Sequence, residues 1–354
     1  MELGNKIREL RLKKSATQEQ LARQLHVSAQ CVSKWETGVT MPDIQLLPEL
    51  SACLGVTIDE LFDLTDDTRL HRISSMLENT RMLDEAEYRS MEQFLRGKTE
   101  TNPNASQYFA LLSELYCHMA GGYREKAAHN AREALRLDPD DKWNHSLLRM
   151  AEDGSLLDWN FSNHTKRILY YRRFLREHPG HVRGCLCLLD ELLADHLLEE
   201  AEKLLAQMGD RLGDVRSSTY AGRILWEQGK HEDARAAWDA MCRRHPDDWL
   251  AHACAADCLA HAGCFSEAAE LYRESLRLQE KPRYTDSAIC IAQICELQGA
   301  YAEAIEAWND VMQILKEEHG VSDGECLDAP AREIERLSAL CRENSGIPQK
   351  EILP

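Results

Sequence analysis

The feature that most limits what this chain can fold into is a repeat. From about residue 105 to 318 the sequence resembles itself at a nearly fixed interval. The segments "LEEAEKLLAQM", "HEDARAAWDAMCRRHP", "FSEAAELYRESLRL" and "YAEAIEAWNDVMQI" put Ala201, Ala234, Ala268 and Ala304 in equivalent places, 33, 34 and 36 residues apart. Arg167 holds that place in a degenerate unit 34 residues before Ala201, and Ala127, in "YREKAAHNAREALRLDP", lies 40 before that. Gly122, Gly229, Gly263 and Gly299 each stand five residues ahead of a marker alanine, where a turn between two helices is expected. Pro139, Pro179 and Pro246 close units. A two-helix unit of this length cannot bury its apolar face alone, so the units must stack, and the pattern predicts an all-α solenoid.

This period resembles the tetratricopeptide repeat family over about 210 residues, with six units, the second a poor fit. The segment "LDAPAREIERLSALCREN" reads as a final capping helix and "SGIPQKEILP" as a loose tail. The expected division is therefore residues 1–66 as a head, 67–104 as a partly helical polar connector, 105–318 as repeats and 319–354 as cap and tail. In the connector "MLDEAEYRSMEQFLRG" looks helical and "KTETNPNAS" looks like a loop.

The chain has 354 residues, which is too long for one typical domain. No apolar run approaches the length of a membrane span and "MELGNKIRELRLKK" lacks the apolar block of a signal peptide, so the expected location is cytoplasmic and no membrane partner is expected. Thirteen cysteines at irregular spacing fit free thiols better than a disulfide framework. The net charge of −18 argues against nucleic acid until its distribution is seen. Residues 1–41 carry seven Lys and Arg against four Glu, a net +3, which leaves −21 on the rest.

That basic head reads as five short helices. Leu3, Ile7 and Leu10 begin a helical apolar pattern. Thr17-Gln-Glu-Gln20 is a capping box that starts a second helix. Ser28 caps a third, with Val27 and Val32 placed as a hydrophobic staple, and Gly38 stops it. A fourth begins near Asp43 with Leu46, Leu47, Leu50 and Leu54 on one side, and Thr57-Ile-Asp-Glu60 starts a fifth that carries Leu61 and Phe62.

Residues 17–38 resemble the helix-turn-helix of the Xre/Cro family through Gln18, Ala22, Leu25, Val32, Trp35, Glu36 and Gly38, and the likeness extends over residues 3–64. One departure is His26, where the family usually has a turn glycine; His tolerates left-handed backbone better than most residues but less well than Gly. The resemblance implies that Ser28 to Thr37 lies in the DNA major groove, with Ala29, Gln30, Ser33 and Lys34 toward the bases and Arg11, Gln18, Ser28 and Thr37 toward phosphates. Gln suits adenine, Lys suits guanine, and Ala29 suits a thymine methyl. A single such module makes few contacts, so a homodimer on double-stranded DNA is expected.

In the repeats the family pattern puts Arg183, Asp190, Arg216, Arg223, Trp226, Asp257, Gln293 and Glu296 on a concave face. The two-part layout resembles bacterial receptors for short signalling peptides, which implies that the repeats take a peptide or protein ligand in that groove, mediate dimerisation, or both. His252, Cys254, Cys258, His261 and Cys264 are residue types that can ligate zinc, but without a CxxC knuckle they fit small buried packing residues better, and no metal or cofactor is expected. "WNH" at 143–145 and "DWNFSNH" at 158–164 are assigned to packing of the irregular second unit. No Walker loop, dinucleotide fingerprint, HExxH or nucleophile elbow occurs, so catalysis has no support and no enzyme is expected. The reading is an all-α, sequence-specific transcription regulator with a five-helix head and tetratricopeptide-like body; the rival is an interaction scaffold with a vestigial head.

Overall fold

The computed structural model describes residues 2–61, 66–152, 154 and 158–344, and every regular element among them is helical. It divides into two compact units, residues 1–120 and 121–354.

The first unit opens with α1 (Glu2–Lys13), α2 (Gln18–Gln24) and α3 (Ala29–Glu36), then a 3-10 turn at Ile44–Leu46, α4 (Leu47–Leu54) and α5 (Ile58–Leu61). The boundaries follow from side-chain caps. The Thr17 hydroxyl accepts from the Gln20 N–H while the Gln20 side chain accepts from the Thr17 N–H. Ser28 caps α3 by accepting from the Cys31 N–H. Ile7, Leu21, Leu25, Val32 and Leu50 fill the middle of this head. His26 does take left-handed backbone, with φ 55°. Phe62 lies outside the described residues, as does the tail from 345.

Residues expected as a connector are instead folded. Helix α6 (Asp66–Asn79), α7 (Glu85–Thr101) and the first half of α8 (Ser106–Leu137) bury Ile73, Leu77, Met91, Leu95, Tyr108 and Leu115 together. The polar composition hides an i, i+4 pair on each of the first two helices, which is enough to make a seam. Asp66 accepts from Lys98 Nζ at 2.5 Å and from the Tyr108 hydroxyl at 3.2 Å, and α7 runs on through the "KTET" expected as loop.

In the second unit α9 (Lys142–Ala151), α10 (Trp159–Ser162) and α11 (Thr165–Glu177) precede four regular hairpins. These are α12 and α13 (Val182–Ala194, Leu198–Met208), α14 and α15 (Asp214–Glu227, His231–Arg244), α16 and α17 (Trp249–His261, Phe265–Leu278), and α18 and α19 (Asp286–Leu297, Tyr301–Glu317). Helix α20 (Glu325–Asn344) follows. Ala201, Ala234, Ala268 and Ala304 are fully buried where each second helix meets its first. Gly229, Gly263 and Gly299 take φ of 80°, 75° and 74° at the intervening turns, and His196 takes φ 55° at the same place in the first hairpin.

The expected first unit does not form. Gly122 sits inside the continuous α8, and Ala127 is exposed. Two adjacent glycines interrupt helix propensity but do not break a helix when good formers flank them on both sides. Arg167 is likewise exposed on α11, its guanidinium donating to Glu191.

Candidate functional site

Helix α3 has two faces. Val32, Trp35 and Glu36 point inward; Gln30 and Lys34 are exposed, and Ala29 and Ser33 are partly so. The inner face is fixed by a charged network. Arg11 Nε and Nη2 donate to the two Glu36 carboxylate oxygens at 2.5 and 2.9 Å, and Arg11 Nη1 donates to the Ala16 carbonyl. Gln18 Nε2 donates to the same carboxylate at 2.7 Å. Burial pushes the Glu36 carboxyl up, but the bonds from Arg11 and Gln18 and the Arg11 charge outweigh it and hold the group below its ordinary value. Three helices are thereby tied through one residue. Gly4 completes the fit: a Cβ there would stand 2.1 Å from the Trp35 carbonyl oxygen, so α1 approaches α3 only with no side chain at that point.

Arg11 is therefore not where the family pattern put it. It is 7% exposed and both ends of its guanidinium are taken, so it supports α3 rather than facing a phosphate. Gln18 is half-buried with its amide turned to Glu36. Ser28 and Thr37 are exposed at the two ends of α3; the Thr37 hydroxyl donates to the Ser33 carbonyl, and the Ser28 hydroxyl has only the Cys31 sulfur to donate to. Glu36 and Gly4 had no assigned role in the sequence. A buried Glu paired with an Arg 25 positions earlier leaves no local pattern, and Gly4 reads as an ordinary helical glycine.

The second candidate site lies on the first helices of the hairpins. Asp190 of α12, Arg216, Arg223 and Trp226 of α14, and Asp257 of α16 line one groove of about 800 Å³. Gln293 of α18 lines an adjoining hollow that also includes Asp257. Arg183 is exposed and outside both, and Glu296 is outside both and paired with Arg336 at 2.7 Å. In the groove Arg223 Nη1 and the Tyr220 hydroxyl both donate to Asp190 Oδ1, at 2.6 and 2.8 Å. The Arg223 guanidinium also lies 5.1 Å from the centre of the Tyr220 ring. Burial pulls Arg223 down, yet Asp190 more than compensates and holds it above its ordinary value. Burial raises Asp257 against the Tyr272 hydroxyl that donates to it at 2.6 Å. Tyr220 and Tyr272 were missed, although Tyr220 stands three residues before Arg223 and so shares its face.

The cysteine and histidine cluster is dispersed. Cys254, Cys258 and His261 line the groove, His252 is buried with Nε2 against the Pro246 carbonyl, and Cys264 meets Arg235. Among the described residues no three His, Cys, Asp or Glu converge as metal ligands. Burial pushes the Cys258 thiol up to about 12 and also raises Cys254, so both stay protonated and act as small apolar lining rather than nucleophiles. Among the described residues no helix is long and apolar enough to cross a membrane.

Comparison with known proteins found matches to the head and to the repeats. The helix-turn-helix family profile matches residues 7–61, and the tetratricopeptide repeat profile matches residues 221–284 and 265–317. The HTH-type transcriptional activator BcrR of Enterococcus faecalis is 49% identical over 61 residues, 17% of this chain and 30% of that protein, so the chain spans under a third of the relative it matches. Among solved structures, a tetratricopeptide repeat protein of Parabacteroides merdae aligns over 77% of this chain and 98% of its own at 13% identity, with a TM-score of 0.37. Bacillus thuringiensis PlcR, in complex with the peptide PapR7 and DNA, aligns over 90% of this chain and 98% of its own at 13% identity, with a TM-score of 0.26. By its sequence and its helices, the chain carries an Xre-like helix-turn-helix domain at its N-terminus and tetratricopeptide repeats toward its C-terminus.

Proposed function

We propose that the chain is a sequence-specific DNA-binding transcription regulator that acts as two copies on a two-fold site and takes a short peptide in its repeat groove. The observation that carries the first part is α3 itself: its inner face is locked by Arg11, Glu36 and Gln18 while Gln30 and Lys34 stand exposed beside Ala29 and Ser33. A helix held this firmly, with its polar side left clear, is pre-organised to read base edges. Ser28, Thr37 and Gln18 keep their places toward the phosphates in this reading, and Arg11 does not. The net +3 on residues 1–41 supports phosphate attraction, and the −21 elsewhere supports a separate role for the repeats.

The groove supports a peptide because it pairs aromatic walls with charges of both signs. Trp226 stacks on His231 at 4.1 Å beside the Arg223–Asp190 pair. Ligand and DNA affinity are then coupled reciprocally. The test is binding of the purified full chain to a randomised duplex pool, followed by a salt titration on the selected site. A linear fall of log K with log salt, together with sequence preference, is the expected result. No preference over the pool defeats the reading and favours the scaffold with a vestigial head.

A further inference from the structure

The second unit has two ends, and they are finished differently. At the C-terminal end α20 lays Leu327 and Leu337 into the core. Toward the other end, after the second half of α8, stands α9, whose Trp143, Leu147 and Met150 recur at i, i+4 and i+7 and so form one stripe, yet no residue of α9 is buried. Trp143 is 63% exposed; just beyond, Trp159 and Phe161 of α10 are each 62% exposed and Tyr170 of α11 is 60% exposed. The tryptophan-rich segments were expected to pack an irregular repeat, and instead they face outward. From α12 to α20, by contrast, only three large apolar side chains among the described residues are exposed: Leu197, Tyr284 and Leu297. A stacked array needs a polar-faced element at each end. This end lacks one.

We infer that the outward face of α9, α10 and α11 is where two copies of this chain meet, end to end. The inference rests on the two-copy reading above and assigns it a surface. Charge selects the occupant. Residues 137–177 hold seven basic side chains (Lys142, Arg149, Lys166, Arg167, Arg172, Arg173, Arg176) and seven acidic ones (Asp138, Asp140, Asp141, Glu152, Asp153, Asp158, Glu177), a net charge of zero in a chain of −18. Two chains of −18 repel over most of their surface, and a neutral apolar face is where self-contact escapes that repulsion. Area agrees. The six side chains from Trp143 to Tyr170 present on the order of 700 Å² per chain, close to the roughly 800 Å² per partner of a standard interface. A two-fold contact of this kind is self-complementary, aromatic edge against aromatic edge. Its core has the makeup of a hot spot, tryptophan and methionine on one helix with charges at the rim.

The experiment is sedimentation equilibrium of the full chain without DNA, for wild type, for Trp143→Ser with Met150→Ser, and for Leu297→Ser as an exposed control. Wild type and control are expected to dimerise, and the stripe variant to self-associate at least ten-fold more weakly, with helical circular dichroism and melting temperature unchanged. A wild type that stays monomeric at tens of micromolar overturns the inference and gives the face to a different protein. So does a dimer indifferent to the stripe variant. Duplexes with one or two half-sites separate this inference from the DNA reading. The variant should match wild type on one half-site and lose the gain from the second. If no protein binds DNA but the stripe variant still breaks the dimer, the DNA reading falls and this interface stands.

Discussion

Two arginine–carboxylate pairs with almost the same closest approach sit in opposite surroundings in this molecule. In the head, Arg11 meets Glu36 at 2.5 Å with side chains 9% and 2% exposed. In the groove, Arg223 meets Asp190 at 2.6 Å with side chains 33% and 53% exposed. The first pair has no solvent to return to, so breaking it leaves a charge stranded. The second is open on one side, so an incoming group can replace either partner at small expense. The closest distances are nearly the same; burial and the second bond make the first pair a strut, and in the proposed function the open second pair is a latch.

The largest expected effect tests the strut. Glu36→Ala should destabilise the head by about 3–5 kcal/mol, since it strands Arg11 and frees the Gln18 amide. Thermal unfolding of the full chain followed in the head, for example by Trp35 fluorescence, is the readout. The pair also predicts a pH dependence. The folded Glu36 carboxyl is held below its ordinary value of 4.5, so its stabilisation is present above that value and lost as pH falls through the folded one. Glu36→Gln should flatten that acid limb. An acid limb unchanged in Glu36→Gln would mean the network is not a strut.

The two regions also differed in how legible they were. The capping box at Thr17 and the serine cap at Ser28 are local, written within four residues, and the helix starts follow from them directly. The repeat period was legible because the marker alanines and turn glycines recur. It misled at Gly122, where the spacing was right but continuous helix formers carried α8 through. What stayed hidden was long-range. Arg11 looked like a free cation because nothing near it in sequence announces Glu36. Arg183 and Glu296 lie outside both hollows although Asp190 and Gln293, on the same helices and the same faces, line them, so the sequence marked the face but not how far along each helix the hollow extends. The seam of α6 and α7 was masked by a polar composition.

A second, smaller effect tests whether the strut serves the reading face. Lys34→Ala and Gln30→Ala should each weaken binding to the selected duplex by about 1–3 kcal/mol and relax base preference, with no loss of stability. Equal affinity for the duplex in Lys34→Ala would remove α3 from the groove. Next in size are the turns. Gly229→Ala puts a Cβ on left-handed backbone and should lower the stability of the repeats by about 1 kcal/mol. His196→Gly, at the equivalent turn, should be neutral or stabilise by up to about 1 kcal/mol. Urea midpoints of the two variants should therefore move apart, and a common direction would show that the turns are not equivalent.

The smallest effect on stability belongs to the latch, and it is the most informative. Arg223→Ala removes a pair open to solvent, so the repeats should lose no more than about 1 kcal/mol and their melting temperature should fall by less than about 4 °C. The change in ligand preference should be larger. With Arg223 gone, Asp190 keeps only the Tyr220 hydroxyl. The groove then loses its partner for a terminal carboxylate and gains an uncompensated anion. A peptide with a free C-terminus should bind the variant roughly ten-fold more weakly than wild type, a step of about 1.4 kcal/mol. The same peptide with an amidated C-terminus and a lysine should bind as well or better, because the anion is now free to take a cation. Calorimetric titration of both peptides against both proteins gives four affinities, and the sign of the double difference reports which partner of the pair the ligand displaces. If the double difference is zero, the latch holds no ligand and the open pair only joins α12 to α14.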